Sequence, residues 1–135
     1  MNKVIHCAGL IVVKERKLLL AFSNNKQAWY LPGGKIDAGE TPLMGLRREI
    51  QEELNLQLPE ESLSWYYHIT APAFGEDNIT MQQHCFMHQL TQQPQPAAEI
   101  GGVQYFSQEE YQLQPHQVTG VLMAFEKLRQ DNLVD

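Results

Sequence analysis

The feature that most constrains this chain is a short helix-forming run, residues 41–55, that carries an apolar stripe and an acidic arc side by side. At 100° per residue, Leu43, Leu46, Ile50 and Leu54 recur at spacings of three and four, the stripe a helix buries against a core. Glu52 and Glu53 fall on either side of Glu49, so the three carboxylates share an arc of roughly 100° beside that stripe. Thr41 is a good N-cap, Pro42 suits the first helical position, and Asn55 tolerates the left-handed conformation wanted just past a helix end. Gly45 is unusual, because an interior glycine costs ~1 kcal/mol relative to alanine. Its place one turn before Glu49 leaves two readings, that its missing side chain makes room for the glycine loop upstream or that it is a tolerated defect.

Three like charges within one turn repel one another by a few tenths of a kcal/mol per i,i+4 pair. A cation reverses that sign. With oxygen ligands and no Cys or paired His nearby, the expected ion is Mg²⁺, with Mn²⁺ possible, and phosphate oxygens of a substrate complete such a shell. A solvated acidic face is the ordinary alternative for an isolated helix. The residues before the helix argue against it. Leu31-Pro32-Gly33-Gly34 ends an apolar stretch, and paired glycines let the backbone approach another group closely. Glu40 stands just before the Thr41 cap.

Gly34, then Glu40, then Arg48-Glu49-Ile50-Gln51-Glu52-Glu53-Leu54-Asn55-Leu56 resembles the signature of the Nudix hydrolase family in its spacing, with Asn55 where the family usually has glycine. The resemblance implies an αβα sandwich with a mixed β-sheet between helices. It also implies a hydrolase of phosphoric anhydride bonds that cleaves a nucleoside triphosphate or another nucleoside diphosphate-linked compound. Carried over by position, Glu49, Glu52 and Glu53 are the expected metal ligands, with the Gly33 carbonyl as a further one. Arg48 and Glu40 are expected to orient those acids. Glu99, in a loop before Tyr105, resembles an additional acid of triphosphate-cleaving members, as ligand or base. Glu49 is the first choice for general base, ahead of Glu53 and Glu99. Pro72, 16 residues past Leu56, is near a spacing associated with ADP-ribose hydrolases of the family, which keeps an ADP-ribose or nucleotide-sugar substrate as an alternative. A nucleotide-sensing module without turnover is a second alternative, disfavoured by the full set of acids. An isoprenoid diphosphate isomerase of this fold is disfavoured because it would need a Cys and Glu pair, and neither cysteine sits near the Gly34–Leu56 stretch in the sequence.

Substrate contacts are expected from Gly33, Gly34 and Lys35 at the phosphate end. On residues 79–90, alternation places Thr80, Gln82, His84, Phe86 and His88 on one strand face, from which Gln82 and His84 would read a base. Trp29 and Tyr30 offer stacking surface, and His116 and Gln117 are further candidates.

The remaining features set limits. The 135 residues suit one domain, residues 1–135, and the net charge of −6 lacks the Lys/Arg stripe that a nucleic acid polymer requires. Cys7 and Cys85 have no metal or redox spacing, the start Met1-Asn2-Lys3 shows no signal peptide, and the apolar run at residues 8–13 is too short to span a bilayer. A cytoplasmic protein with reduced thiols, no membrane partner and a small nucleotide as substrate is the expectation, as a monomer or homodimer. Strands are expected at 4–13, 17–22, 29–31, 63–73, 79–90 and 103–106, a hairpin turn at 75–78, a short helical turn at 108–111 and a closing helix at 118–130.

Overall fold

The computed structural model describes residues 3–135; Met1 and Asn2, and with them the reading of the chain start, lie outside the described residues. The elements run β1 (Lys3–Ile11), β2 (Val13–Lys14), β3 (Lys17–Ser23), β4 (Ala28–Tyr30), β5 (Gly33–Lys35), α1 (Pro42–Leu54), β6 (Ser64–Pro72), β7 (Ile79–Met87), β8 (Ile100–Phe106), α2 (Gln108–Gln112) and α3 (Thr119–Gln130). A single 3-10 turn, Glu60–Ser62, leads into β6.

Local chemistry accounts for most boundaries. Thr41 accepts a hydrogen bond from the Met44 amide, Pro42 opens α1, and Asn55 closes it at φ 55°, ψ 41°. Glu15 and Arg16, both at positive φ, make the tight turn between β2 and β3. Ser107 and Glu110 form a reciprocal capping box at α2.

The strands form two four-stranded sheets. The first is mixed, in the order β5-β1-β7-β6. Its centre is the parallel pair β1 and β7, in register from Lys3 opposite Ile79 to Ile11 opposite Met87. The second is antiparallel, with β3 flanked by β8 along one edge and by β2 and β4 along the other. The αβα expectation thus holds for a mixed sheet and its helices, accompanied by a second sheet.

Alternation along β1 splits the interior in two. Ala8, Leu10 and Val12 pack with Leu46, Ile50 and Leu54 of α1. Ile11 packs on the opposite face with Ile69, Cys85 and the α3 residues Val121, Phe125 and Leu128. Full burial of side chains of this kind contributes about 1.5–3 kcal/mol each before entropy is counted. The cleft that concerns function is lined on this second face by Ile5 and Cys7 of β1, with Ala21 and Ser23 of β3 and Val118 just before α3.

Candidate active site

Two glycines bring β5 against β1 and α1. Gly33 has φ 135°, and a Cβ there would collide with the Ala8 carbonyl oxygen. A Cβ on Gly34 would stand 2.6 Å from Glu49 Cδ. Only glycine at residue 34 lets the Glu49 carboxylate lie on the strand. Gly45 plays a related part with different neighbours: its missing Cβ makes room for Glu40 and Ile36, and not for the glycine pair.

Arg48 is the organising cation. Its Nε donates to Glu40 Oε2 at 2.8 Å and its second terminal nitrogen to Glu40 Oε1 at 3.0 Å, a two-bond fork. The other terminal nitrogen donates to Glu49 Oε1 at 3.1 Å and to Glu52 Oε1 at 3.3 Å. The Lys35 carbonyl accepts at 3.0 Å, and Asp37 lies 3.3 Å away. Arg48 therefore ties helix, strand and connecting loop together, and the i,i+4 bridge to Glu52 is one contact of several. The fork holds the Glu40 carboxyl below the ordinary glutamate range.

A cleft of about 400 Å³ opens beside this hub. Glu49, Glu53 and Glu99 line it together with Gly33, Gly34 and Lys35. Glu53 accepts a hydrogen bond from the Gly33 amide at 3.0 Å. Burial pushes its carboxyl up to about 8; that amide opposes the shift, and Glu49, Glu99 and Glu52 add to it. Burial also raises Glu49, partly offset by Arg48. Glu99 precedes β8 and accepts from Ser23 Oγ at 2.8 Å. The segment before it is anchored to α1, whose terminal carbonyls at Glu53 and Leu54 accept from the Ala97 and Gln95 amides, each at 2.9 Å.

Glu52 stands apart. Its side chain is 53 % exposed, it reaches toward Arg48, and it does not line the cleft. Among the described residues, no three His, Cys, Asp or Glu side chains are grouped closely enough to hold an ion as they stand. The donor set is nonetheless all oxygen, and burial penalises the charge of Glu49 and Glu53 while Glu49 and Glu99 press on Glu53, a situation a divalent cation relieves.

Three expected substrate contacts are placed elsewhere. The Trp29 ring packs edge-on between Phe22 and Phe106, with centroids 5.2 and 4.9 Å away, and belongs to the core; Tyr30 lines the cleft instead. Gln82 and His84 lie on the face of β7 turned from the cleft. There Gln82 accepts from Thr70 at 2.8 Å, and His84 packs on His68. The reason is register: β7 residues opposite Ile5 and Cys7 share their face, and those are Met81 and Gln83. His116 touches Phe74, and Gln117 donates back to the Gln112 carbonyl. Ser23, Asp37, Phe74 and Gln83 were not expected at the site. Strand alternation would have offered Gln83 had the buried face been known.

No described helix is long and apolar enough to cross a membrane. A MutT-like protein of Streptomyces ambofaciens is 32% identical over 63 residues, covering 47% of this chain and 41% of that protein. An RNA pyrophosphohydrolase of Francisella tularensis is 34% identical over 50 residues, 37% of this chain and 32% of its own length. The chain thus spans less than half the length of these curated relatives. The crystal structure of a MutT Nudix hydrolase from Burkholderia pseudomallei superposes with a TM-score of 0.78 at 18% identity, over 94% of this chain and 99% of the other, a likeness of fold. The family model for the NUDIX domain matches residues 5–122, and the chain is a member of the Nudix family.

Proposed function

We propose that this chain is a pyrophosphohydrolase that cleaves a nucleoside triphosphate, or another nucleoside diphosphate-linked compound, by attack of water on phosphorus. Enzymes of the family are pyrophosphohydrolases that use divalent metals, and one curated relative is named an RNA pyrophosphohydrolase. The observation that carries the reading is the convergence of Glu49, Glu53 and Glu99 on one cleft with the glycine strand and Lys35.

Glu49 and Glu53, with Glu99 and the Gly33 carbonyl, would hold Mg²⁺ or Mn²⁺, and Glu52 would join them only by leaving Arg48 and turning inward. Such an ion neutralises phosphate oxygens and lowers the pKa of bound water. The chain's own residues do the rest. Gly33 and Gly34 let a phosphate approach the backbone closely, and Lys35 offers it a positive charge. Arg48, held by Glu40, fixes Glu49 over Gly34, so that the acid is positioned before substrate arrives. Glu49 accepts the proton of the attacking water, because burial keeps its carboxyl more basic than a free glutamate. Glu53, pushed up to about 8, is the second reading for that role.

The test is phosphate and pyrophosphate release from the common nucleoside triphosphates, ADP-ribose and nucleotide sugars, with Mg²⁺, Mn²⁺ or EDTA. We expect turnover only with a divalent ion, and a loss of about 10²-fold or more in Glu53→Gln. Silence across the panel with both ions would remove the hydrolase reading. Nucleotide binding without turnover would instead favour a sensing module.

A further inference from the structure

We propose that Gln83 is the residue that reads the base of the nucleotide in this cleft; the idea rests on the nucleotide reading above. Among the described residues, Ser23 and Gln83 are the buried polar side chains apart from Tyr111, whose hydroxyl is bonded to the Trp29 carbonyl and the Val118 amide. Ser23 is satisfied, donating to Glu99 and accepting from the Lys26 amide. Gln83 is 8% exposed and lines the cleft, and none of the side-chain hydrogen bonds of the described residues engages its amide. Neither amide atom is among the fully enclosed, unpartnered atoms of the described residues, and the residue itself lines the cleft. A buried amide left without a partner is unfavourable, and one aimed into a cavity has a ligand's edge as its natural partner.

The fold makes a slot for this amide. A Cβ on Gly9, in the adjacent strand, would stand 2.8 Å from its Nε2, so the missing side chain there leaves the amide its place. At Gly120, in the first turn of α3, a Cβ would crowd Met81 beside it, at 3.1 Å. The surrounding wall is apolar, from Met81 and Val118, and aromatic, from Tyr30 and Phe74, whose rings meet edge-on at 6.2 Å. That is a setting for a planar heterocycle.

Position along the sheet agrees. Cys7 is paired with Lys35 on one side and with Gln83 on the other, so Gln83 lies two strand spacings, roughly 10 Å, from the strand that bears the phosphate-facing glycines. A ribose and a phosphate bridge such a gap. The amide presents an acceptor beside donors, as nucleobase edges do, and so forms paired bonds to a single base.

The experiment is calorimetric titration of AMP, GMP, CMP and UMP into the wild-type chain and into Gln83→Met, with circular dichroism to verify folding. The wild type is expected to bind one of the four at least about tenfold more tightly than the weakest. Gln83→Met is expected to erase that preference, weakening the favoured nucleotide about 10- to 100-fold. Equal binding of all four by the wild type, no binding of any, or an unchanged order in folded Gln83→Met would each overturn the proposal. If Gln83→Met does not fold, the ligand is altered instead. The favoured monophosphate, with the exocyclic group removed from its base, should bind the wild type about tenfold or more weakly, and equal affinity overturns the idea. Turnover is scored separately. Selective binding that depends on Gln83 without hydrolysis would remove only the hydrolase reading, and hydrolysis with a preference indifferent to Gln83→Met only this one.

Discussion

Arg48 grips Glu40 through two parallel N–H···O bonds, and the same guanidinium reaches Glu49, so one side chain joins an acid outside the cleft to an acid inside it. Arg48→Lys keeps the charge but loses the fork. A loss of about 10- to 100-fold in kcat/KM is expected, the range for residues that orient metal-binding groups. Glu40→Gln should fall in the same range, and the double variant should lose little more than either single one. Steady-state kinetics on the three variants checks this, and fully additive losses would show that the two residues act independently.

Gly34→Ala is expected to damage activity more than stability. The new Cβ would sit 2.6 Å from Glu49 Cδ, so the carboxylate must move by about an ångström, which can cost on the order of 10²-fold in rate. Comparison of kcat with the thermal midpoint tests it. A variant that turns over normally would mean that Glu49 is not needed where it lies.

Burial sets a pH dependence in metal-free protein. The Glu53 carboxyl titrates near 8 in the folded chain against an ordinary 4.5. Between those values the unfolded chain has released a proton that the native chain retains, so stability is fullest below the window and declines as pH rises through it. In EDTA, the melting temperature should drop on the order of 5–10 °C between about pH 5 and about pH 8. Glu53→Gln should flatten that slope. A wild-type profile that is level or rising across the window would contradict the assignment.

Both thiols should be silent in the native state. Burial pushes Cys7 up to about 11 and Cys85 up to about 12, leaving well under about 1% thiolate at neutral pH. A disulfide-type thiol reagent should label neither cysteine until denaturant is added. Rapid native labelling of Cys7 would show that the cleft opens further than the structure describes.

What the sequence disclosed is what local chemistry decides. Thr41, Pro42 and Asn55 bound α1 by capping rules that need no tertiary information, and the leucine stripe identified its buried face. The acidic arc was legible for the same reason. Long-range pairing was not. Gly33–Lys35 is a strand only because β1 supplies its partner, and a three-residue run carries no period of its own. Alternation in β7 separated Gln82 and His84 from Met81 and Gln83, yet could not say which set faces the cleft, since that follows from pairing with β1. Trp29 and Tyr30 are adjacent and aromatic; their opposite placements depend on Phe22 and Phe106, which meet Trp29 only in the folded chain. Glu52 was grouped with its neighbours by angle alone, whereas Arg48 draws it to the outer side.

The last carbonyls of α1 are capped by amides of the segment that ends at Glu99. A stretch without regular secondary structure is thereby spliced onto the helix that bears the other acids. The far carboxylate is tethered, through backbone hydrogen bonds, to the helix that carries Glu49 and Glu53.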